Sequence, residues 1–116
     1  MLFFAFAPLA AKSAEPQSVL RGQRLFLRCA SCHQITQGSL IKIGPNLHGV
    51  VGRKAGSLPG YSYSPALKAA GFIWTDAMLD KWLTDPNALV PGTAMAFAGL
   101  PDQKDRLAII DYLKTN

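Results

Sequence analysis

The residues best suited to chemistry are Cys29 and Cys32, two thiols separated by Ala30 and Ser31 and followed at once by His33. Two cysteines at this spacing can bond the two vinyl groups of one haem. The adjacent imidazole is then held beneath the ring as an axial iron ligand. Other uses of the pair fit less well. A zinc site needs two more ligands, yet the chain has no further cysteine and only His33 and His48 as histidines. A thioredoxin-like pair belongs in a βαβ setting, which the flanking residues do not suggest. A disulfide between positions three apart closes too small a loop to stabilise much. The histidine makes the motif specific, and covalent haem attachment is the chemistry it predicts.

An iron held by His33 has a sixth position to fill. Met95 lies in Pro91-Gly92-Thr93-Ala94-Met95, where turn residues can present a side chain to a ring. Met78 falls in a helical stretch, where a lone methionine is ordinarily a gap-filler of the core. His48, in Gly44-Pro45-Asn46-Leu47-His48-Gly49, reads as a loop histidine with local hydrogen bonds. Met1 is a remote candidate. Spacing alone favours Met95 and leaves the others open. Nothing in the chain resembles an acid, base and nucleophile set, so no enzyme activity is expected.

The elements that must position these groups belong to a single domain, since the chain has 116 residues. Apolar residues make up 49% and charged residues 16%, which excludes disorder driven by low hydrophobicity. The net charge of +5 suits an acidic protein partner or an anionic surface, but no basic run marks a nucleic-acid binder. Helix punctuation dominates. Val19, Leu20, Leu25, Phe26 and Leu27 suggest an amphipathic helix from Pro16 to Cys29. Gly22 within it costs about 1 kcal/mol relative to Ala, so another element is expected to approach there. A glycine-rich irregular stretch from Ile35 to Tyr63 is long enough to wrap something functional. Ser64-Pro65 opens a helix stopped by Gly71, and Thr75 opens another ended by Asp85-Pro86. A last helix runs from Asp102 to Leu113, with Leu107, Ile110 and Leu113 expected on one face and Ile109 and Tyr112 beside it. Four to five helices with long loops make an all-α chain whose loops pack on something other than a sheet.

Met1 to Ala11 is apolar apart from Pro8, and too short to span a bilayer, which needs about 20 apolar residues. Residues 1–13 read as a signal peptide cleaved near Ser13, leaving a domain over 14–116 and placing the protein in the bacterial periplasm. No Lys or Arg precedes the apolar run, so an uncleaved anchor is the alternative.

From about Gly22 onward the sequence resembles the class I cytochromes c, the small mitochondrial and purple-bacterial kind. The matching residues run in order: Gly22, Phe26, Cys29-x-x-Cys32-His33, Gly44 to Gly49, Gly52-Arg53-Lys54-Ala55-Gly56, and Pro59-Gly60-Tyr61-Ser62-Tyr63-Ser64. Gly71, Trp74, Pro91 to Met95, Phe97-Ala98-Gly99 and the run from Arg106 to Leu113 complete the set. The resemblance implies the class I fold around one covalent haem c, with His33 and Met95 as the iron ligands. It implies that the Pro45 carbonyl accepts the other ring N–H of His33. Arg53, Tyr63, Ser64 and Trp74 correspond to groups that hydrogen-bond the haem propionates, and Phe97 to the residue at the exposed haem edge. Gly22 and Phe26 would meet the last helix near Ile109 and Tyr112.

The function implied is one-electron transport, from a quinol-oxidising complex to an oxidase, peroxidase or photosynthetic reaction centre. A monomer is expected, associated with membranes only through its partners or an uncleaved N-terminus. The rival readings are a dedicated electron-entry subunit of one dehydrogenase, and a sensor or peroxidase whose Met95 bond opens. Departures from the family pattern bear on docking. Ala94 replaces a common lysine, Pro101 and Asp102 replace others, and Pro86 to Val90 carries none, leaving cations such as Arg24, Arg28 and Lys42. Docking should therefore be less salt-sensitive and more apolar. Trp82 stands where a tyrosine is usual and Leu67 where an asparagine is, leaving Thr93 as the polar remnant on the methionine side.

Overall fold

A computed structural model describes residues 15–116; the proposed signal segment lies outside the described residues. Five α-helices and one 3-10 turn make up its regular structure: α1 (Pro16–Leu25), the turn Phe26–Arg28, α2 (Pro65–Ala70), α3 (Asp76–Thr84), α4 (Pro86–Leu89) and α5 (Gln103–Lys114). Each of α2, α3, α4 and α5 starts where a side-chain oxygen accepts a first-turn N–H. Ser64 caps Leu67, Thr75 caps Met78, Asp85 caps Ala88 and Asp102 caps Lys104. Pro65 and Pro86 occupy first-turn positions where no N–H is needed. Helix α4 was not read from the sequence. Asp85-Pro86 looked like a stop, and it is one for α3, yet the same aspartate caps the next helix.

The pairing of α1 with α5 frames the molecule. At Gly22 a methyl group would come within 2.6 Å of the Ala108 carbonyl carbon and 2.8 Å of the Tyr112 Cβ. Only a bare Cα lets the two helix backbones meet. Next to that crossing, the Phe26 and Tyr112 rings lie 5.4 Å apart and tilted. The buried face of α5 consists of Ala108, Ile109, Ile110 and Leu113. Leu107 is not part of it, being 45% exposed. Its spacing to Ile110 suits the buried face, but the α1 contact is centred on Ala108 and Tyr112, which rotates Leu107 outward.

Ion pairs fasten the periphery. Arg106 ties α5 to α3 through Asp80 at 2.7 Å and also donates to the carbonyls of Leu100 and Pro101. Arg21 on α1 reaches Asp105 on α5 at 2.6 Å. Among the described residues the nearest approach to a sheet is one antiparallel bridge between Lys54 and Ile73. It is extended by bonds from the Ala55 N–H to the Phe72 carbonyl and from the Trp74 N–H to the Arg53 carbonyl. Its role is to set Arg53 beside Trp74.

Candidate functional site

The helices and the loop from Ile35 to Tyr63 leave an apolar cleft between them. Every site residue named from the sequence lines it: Cys29, Cys32, His33, Pro45, Arg53, Tyr63, Ser64, Trp74, Thr93, Met95 and Phe97. So do Phe26, Leu79, Trp82, Leu83 and Ile109. His48 lines a separate shallow depression with Asn46 and Leu58, and Met78 packs against the core without reaching the cleft.

The turn after α1 places the first cluster. Cys29 and Cys32 follow the 3-10 turn, and the Cys32 N–H and His33 N–H both bond the Cys29 carbonyl. Both thiols are free and half-buried, and burial pushes the Cys29 thiol up from its ordinary value. His33 is buried, 7% exposed, and its Nδ1–H donates to the Pro45 carbonyl at 2.7 Å. That bond fixes the tautomer and leaves Nε2 with a free lone pair. Burial holds the imidazole below its ordinary pKa despite the bond to Pro45, so it is neutral and able to ligate. Gly44 clears the space for the ring: a methyl there would stand 2.7 Å from Nδ1 and 2.9 Å from Nε2.

Met95, which lines the same cleft, is half-buried on a segment pinned at several points. The Thr93 N–H bonds the Val90 carbonyl at 3.1 Å, the Thr93 hydroxyl accepts the Met95 N–H at 3.4 Å, and the Leu100 N–H bonds the Leu83 carbonyl at 2.7 Å. Thr93 thus spends a lone pair on the Met95 backbone and keeps its O–H for another acceptor.

The polar end of the cleft has the same character. Tyr63 Oη accepts the Leu58 N–H at 3.1 Å, and Ser64 Oγ accepts the Leu67 N–H at 3.2 Å. Each hydroxyl therefore retains its proton to donate. Arg53 gives one nitrogen to the His48 carbonyl at 3.3 Å and another to the Asn46 carbonyl at 3.1 Å, with donors to spare. Its burial lowers the guanidinium pKa, and the neighbouring Tyr63 opposes that shift. Trp74 and Trp82 stack edge to face at 5.2 Å. Both are 7% exposed, and neither indole nitrogen is paired with a described residue. No sealed side-chain nitrogen or oxygen among the described residues lacks a partner, so both indole N–H groups keep some contact with solvent, and both residues line the cleft.

This donor set fits a haem. Two thiols three positions apart, a neutral imidazole with one nitrogen occupied, a thioether lining the same cleft and hydroxyl and guanidinium donors to spare are the groups such a ring needs. A family model described as cytochrome c matches residues 19–116. The chain belongs to the cytochrome c family. Cytochrome c2 of Rhodomicrobium vannielii is 45% identical over 96 residues, covering 83% of this chain and 77% of that protein. Cytochrome c of Euglena viridis is 50% identical, covering 82% and 93%. The solved structure of cytochrome cH from Methylobacterium extorquens superposes with a TM-score of 0.80 at 44% identity, covering 84% of this chain and 98% of that one. The fold is thus the class I cytochrome c fold, the cofactor one covalent c-type haem at the Cys29-Cys32-His33 motif, and the protein an electron carrier of this family. Among the described residues no helix is long and apolar enough to cross a membrane.

Sequence reasoning missed Ile43 as a cleft residue, although it lines the mouth. Its only signal was an aliphatic run, Leu40-Ile41-Lys42-Ile43, within the long irregular loop.

Proposed function

We propose that this chain carries one electron at a time in the bacterial periplasm, as a monomer, with His33 and Met95 as the iron ligands. The donor is a membrane quinol-oxidising complex, and the acceptor is a terminal oxidase, peroxidase or photosynthetic reaction centre. The observation that carries this reading is the composition of the cleft: His33 and Met95 both line it, and no Asp, Glu or Lys does. The groups that could otherwise do acid–base work there are engaged in this reading, His33 as an iron ligand and Cys29 and Cys32 as thioethers.

Bound haem supplies the one-electron couple. Cys29 and Cys32 hold it by thioethers, and His33, locked by Pro45, cannot swing away from its position. Met95 offers a soft thioether that favours the reduced metal and so a high potential. Leu83, Ile109 and Trp82 exclude water, which reinforces that preference by disfavouring added charge. Arg53, Tyr63, Ser64 and Trp74 donate to the propionates, whose burial without donors would cost several kcal/mol. Phe97 covers the edge beside Met95.

Carbon monoxide tests the assignment. The ferrous wild type at neutral pH is expected to bind it negligibly while being reduced and reoxidised fast. Rapid binding would instead mean an open sixth site, as a sensor or peroxidase requires. Residues 1–13 are proposed to be removed on export, and an intact mass that starts near Ala14 is expected of the native protein.

A further inference from the structure

Five cleft-lining residues are themselves exposed and so mark its mouth: Arg28, Ser31, Ile43, Ala94 and Ala96. Only Arg28 is charged. Ile43 is 78% exposed, with its carbonyl fastened to the Tyr61 hydroxyl at 2.9 Å. Leu27 is 74% exposed and precedes Arg28; Leu40 is 85% exposed and stands three residues before Ile43. Three residues of chain reach at most about 11 Å. Single exposed aliphatics are ordinary, but these are the three most exposed large hydrophobics among the described residues; Ile43 lines the mouth itself, and Leu27 and Leu40 stand within three residues of a mouth residue.

The charge along the stretch of chain that carries them has one sign. From Pro16 to Thr75 the sequence contains no Asp or Glu. Lys42 folds back so that its ammonium donates to the Ala30 carbonyl at 2.8 Å, which sets a second cation beside the Cys29–Cys32 segment. Asp76, Asp80 and Asp105 lie on α3 and α5, each paired with Lys114, Arg106 or Arg21.

We propose that Leu27, Leu40 and Ile43 form an apolar docking strip at the cysteine side of the cleft mouth, and that it receives an electron-transfer protein. The facing surface of that partner is apolar, with carboxylates opposite Arg28 and Lys42. The strip borders the mouth through which an electron must pass, and a redox protein uses that proximity whereas a bilayer does not. The proposal rests on the carrier reading, and it makes aliphatic contact rather than a ring of lysines the source of affinity.

The test is steady-state oxidation of the ferrous holoprotein by a purified, detergent-solubilised terminal cytochrome c oxidase. The double variant Leu40→Ser/Ile43→Ser is expected to raise KM about tenfold at unchanged kcat, the loss expected for two aliphatic contacts. Leu107→Ser, which removes an exposed aliphatic from α5, is expected to leave KM within about twofold, as a surface change away from the contact should. For the wild type, kcat/KM should fall less than about threefold between about 20 and 200 mM salt. Oxidation of the double variant with the wild-type KM would overturn the strip. So would its selective loss of binding to vesicles of phosphatidylcholine and phosphatidylglycerol with oxidase turnover intact, since the strip would then serve lipid. A wild type that the oxidase does not oxidise at all would overturn the carrier reading beneath it.

Discussion

Gly44 and the imidazole of His33 touch so closely that the ring rests where a side chain at 44 would begin. A methyl at that position would stand 2.7 Å from Nδ1 and 2.9 Å from Nε2. The Gly44 N–H is also bound to the Cys32 carbonyl at 2.7 Å, so the glycine has little room to retreat. Something must shift, and the ring is the softer party.

Gly44→Ala is therefore expected to tilt the imidazole and stretch its bond to Pro45. Overpacking of this kind costs about 1–3 kcal/mol. Denaturant unfolding of the holoprotein measures the stability loss. The visible spectrum reports the ligand, and weakened low-spin bands are expected beside the lower midpoint.

A second close approach makes a prediction against helix propensity. Replacing a mid-helix glycine by alanine ordinarily stabilises by about 1 kcal/mol. At Gly22 the added carbon would lie 2.6 Å from a backbone carbon of Ala108, and backbone yields less readily than side chain. Gly22→Ala is expected to destabilise by about 2–3 kcal/mol, with α1 and α5 forced apart. A rise in the thermal midpoint would show that the helices separate at little cost.

How far the sequence disclosed these features depended on where the cause lies. Local chemistry was readable: Cys29, Cys32 and His33 are adjacent, and Ser64-Pro65 and Thr75 carry their own capping oxygens. A mid-helix glycine announced a contact, though not that Ala108 would be its target. Leu107 was misplaced because helical period leaves the rotation of α5 undecided, and Gly22 decides it from another element. The spare protons of Tyr63 and Ser64 were invisible as well. They depend on which backbone N–H occupies each oxygen, and those partners arise only when the loop closes.

Arg106 anchors α5 with its side chain only 11% exposed, and three acceptors share its guanidinium: Asp80, Leu100 and Pro101. Arg106→Ala strands the part-buried Leu100 carbonyl and the Asp80 carboxylate and also loses the exposed bond to Pro101, and is expected to cost about 2–4 kcal/mol. Arg106→Lys should recover less than half, because an ammonium cannot span the three positions. Arg21→Ala, at a pair whose arginine side chain is 47% exposed, should cost under about 1 kcal/mol. Denaturation of all three holoproteins checks the order.

The remaining prediction concerns Met95 and separates the sixth ligand from its two rivals by position. Met95 lines the same cleft as His33, Met78 lies in α3 against the core, and His48 sits over a separate depression. Met95→Ala is expected to open the metal to carbon monoxide and to lower the potential, since a soft ligand that favours the reduced state is removed. Met78→Ala should lose only packing, about 1–2 kcal/mol for a half-buried side chain, with the potential and the carbon monoxide response unchanged. His48→Ala should change neither. Because the Thr93, Val90, Leu83 and Leu100 bonds hold the segment by its backbone, Met95→Ala should keep the loop in place. Its helical circular dichroism should then match the wild type while its ligand chemistry differs. A large potential change in His48→Ala, with none in Met95→Ala, would assign the ligand to the other side of the loop and would require the Pro45 to His48 segment to refold around the iron.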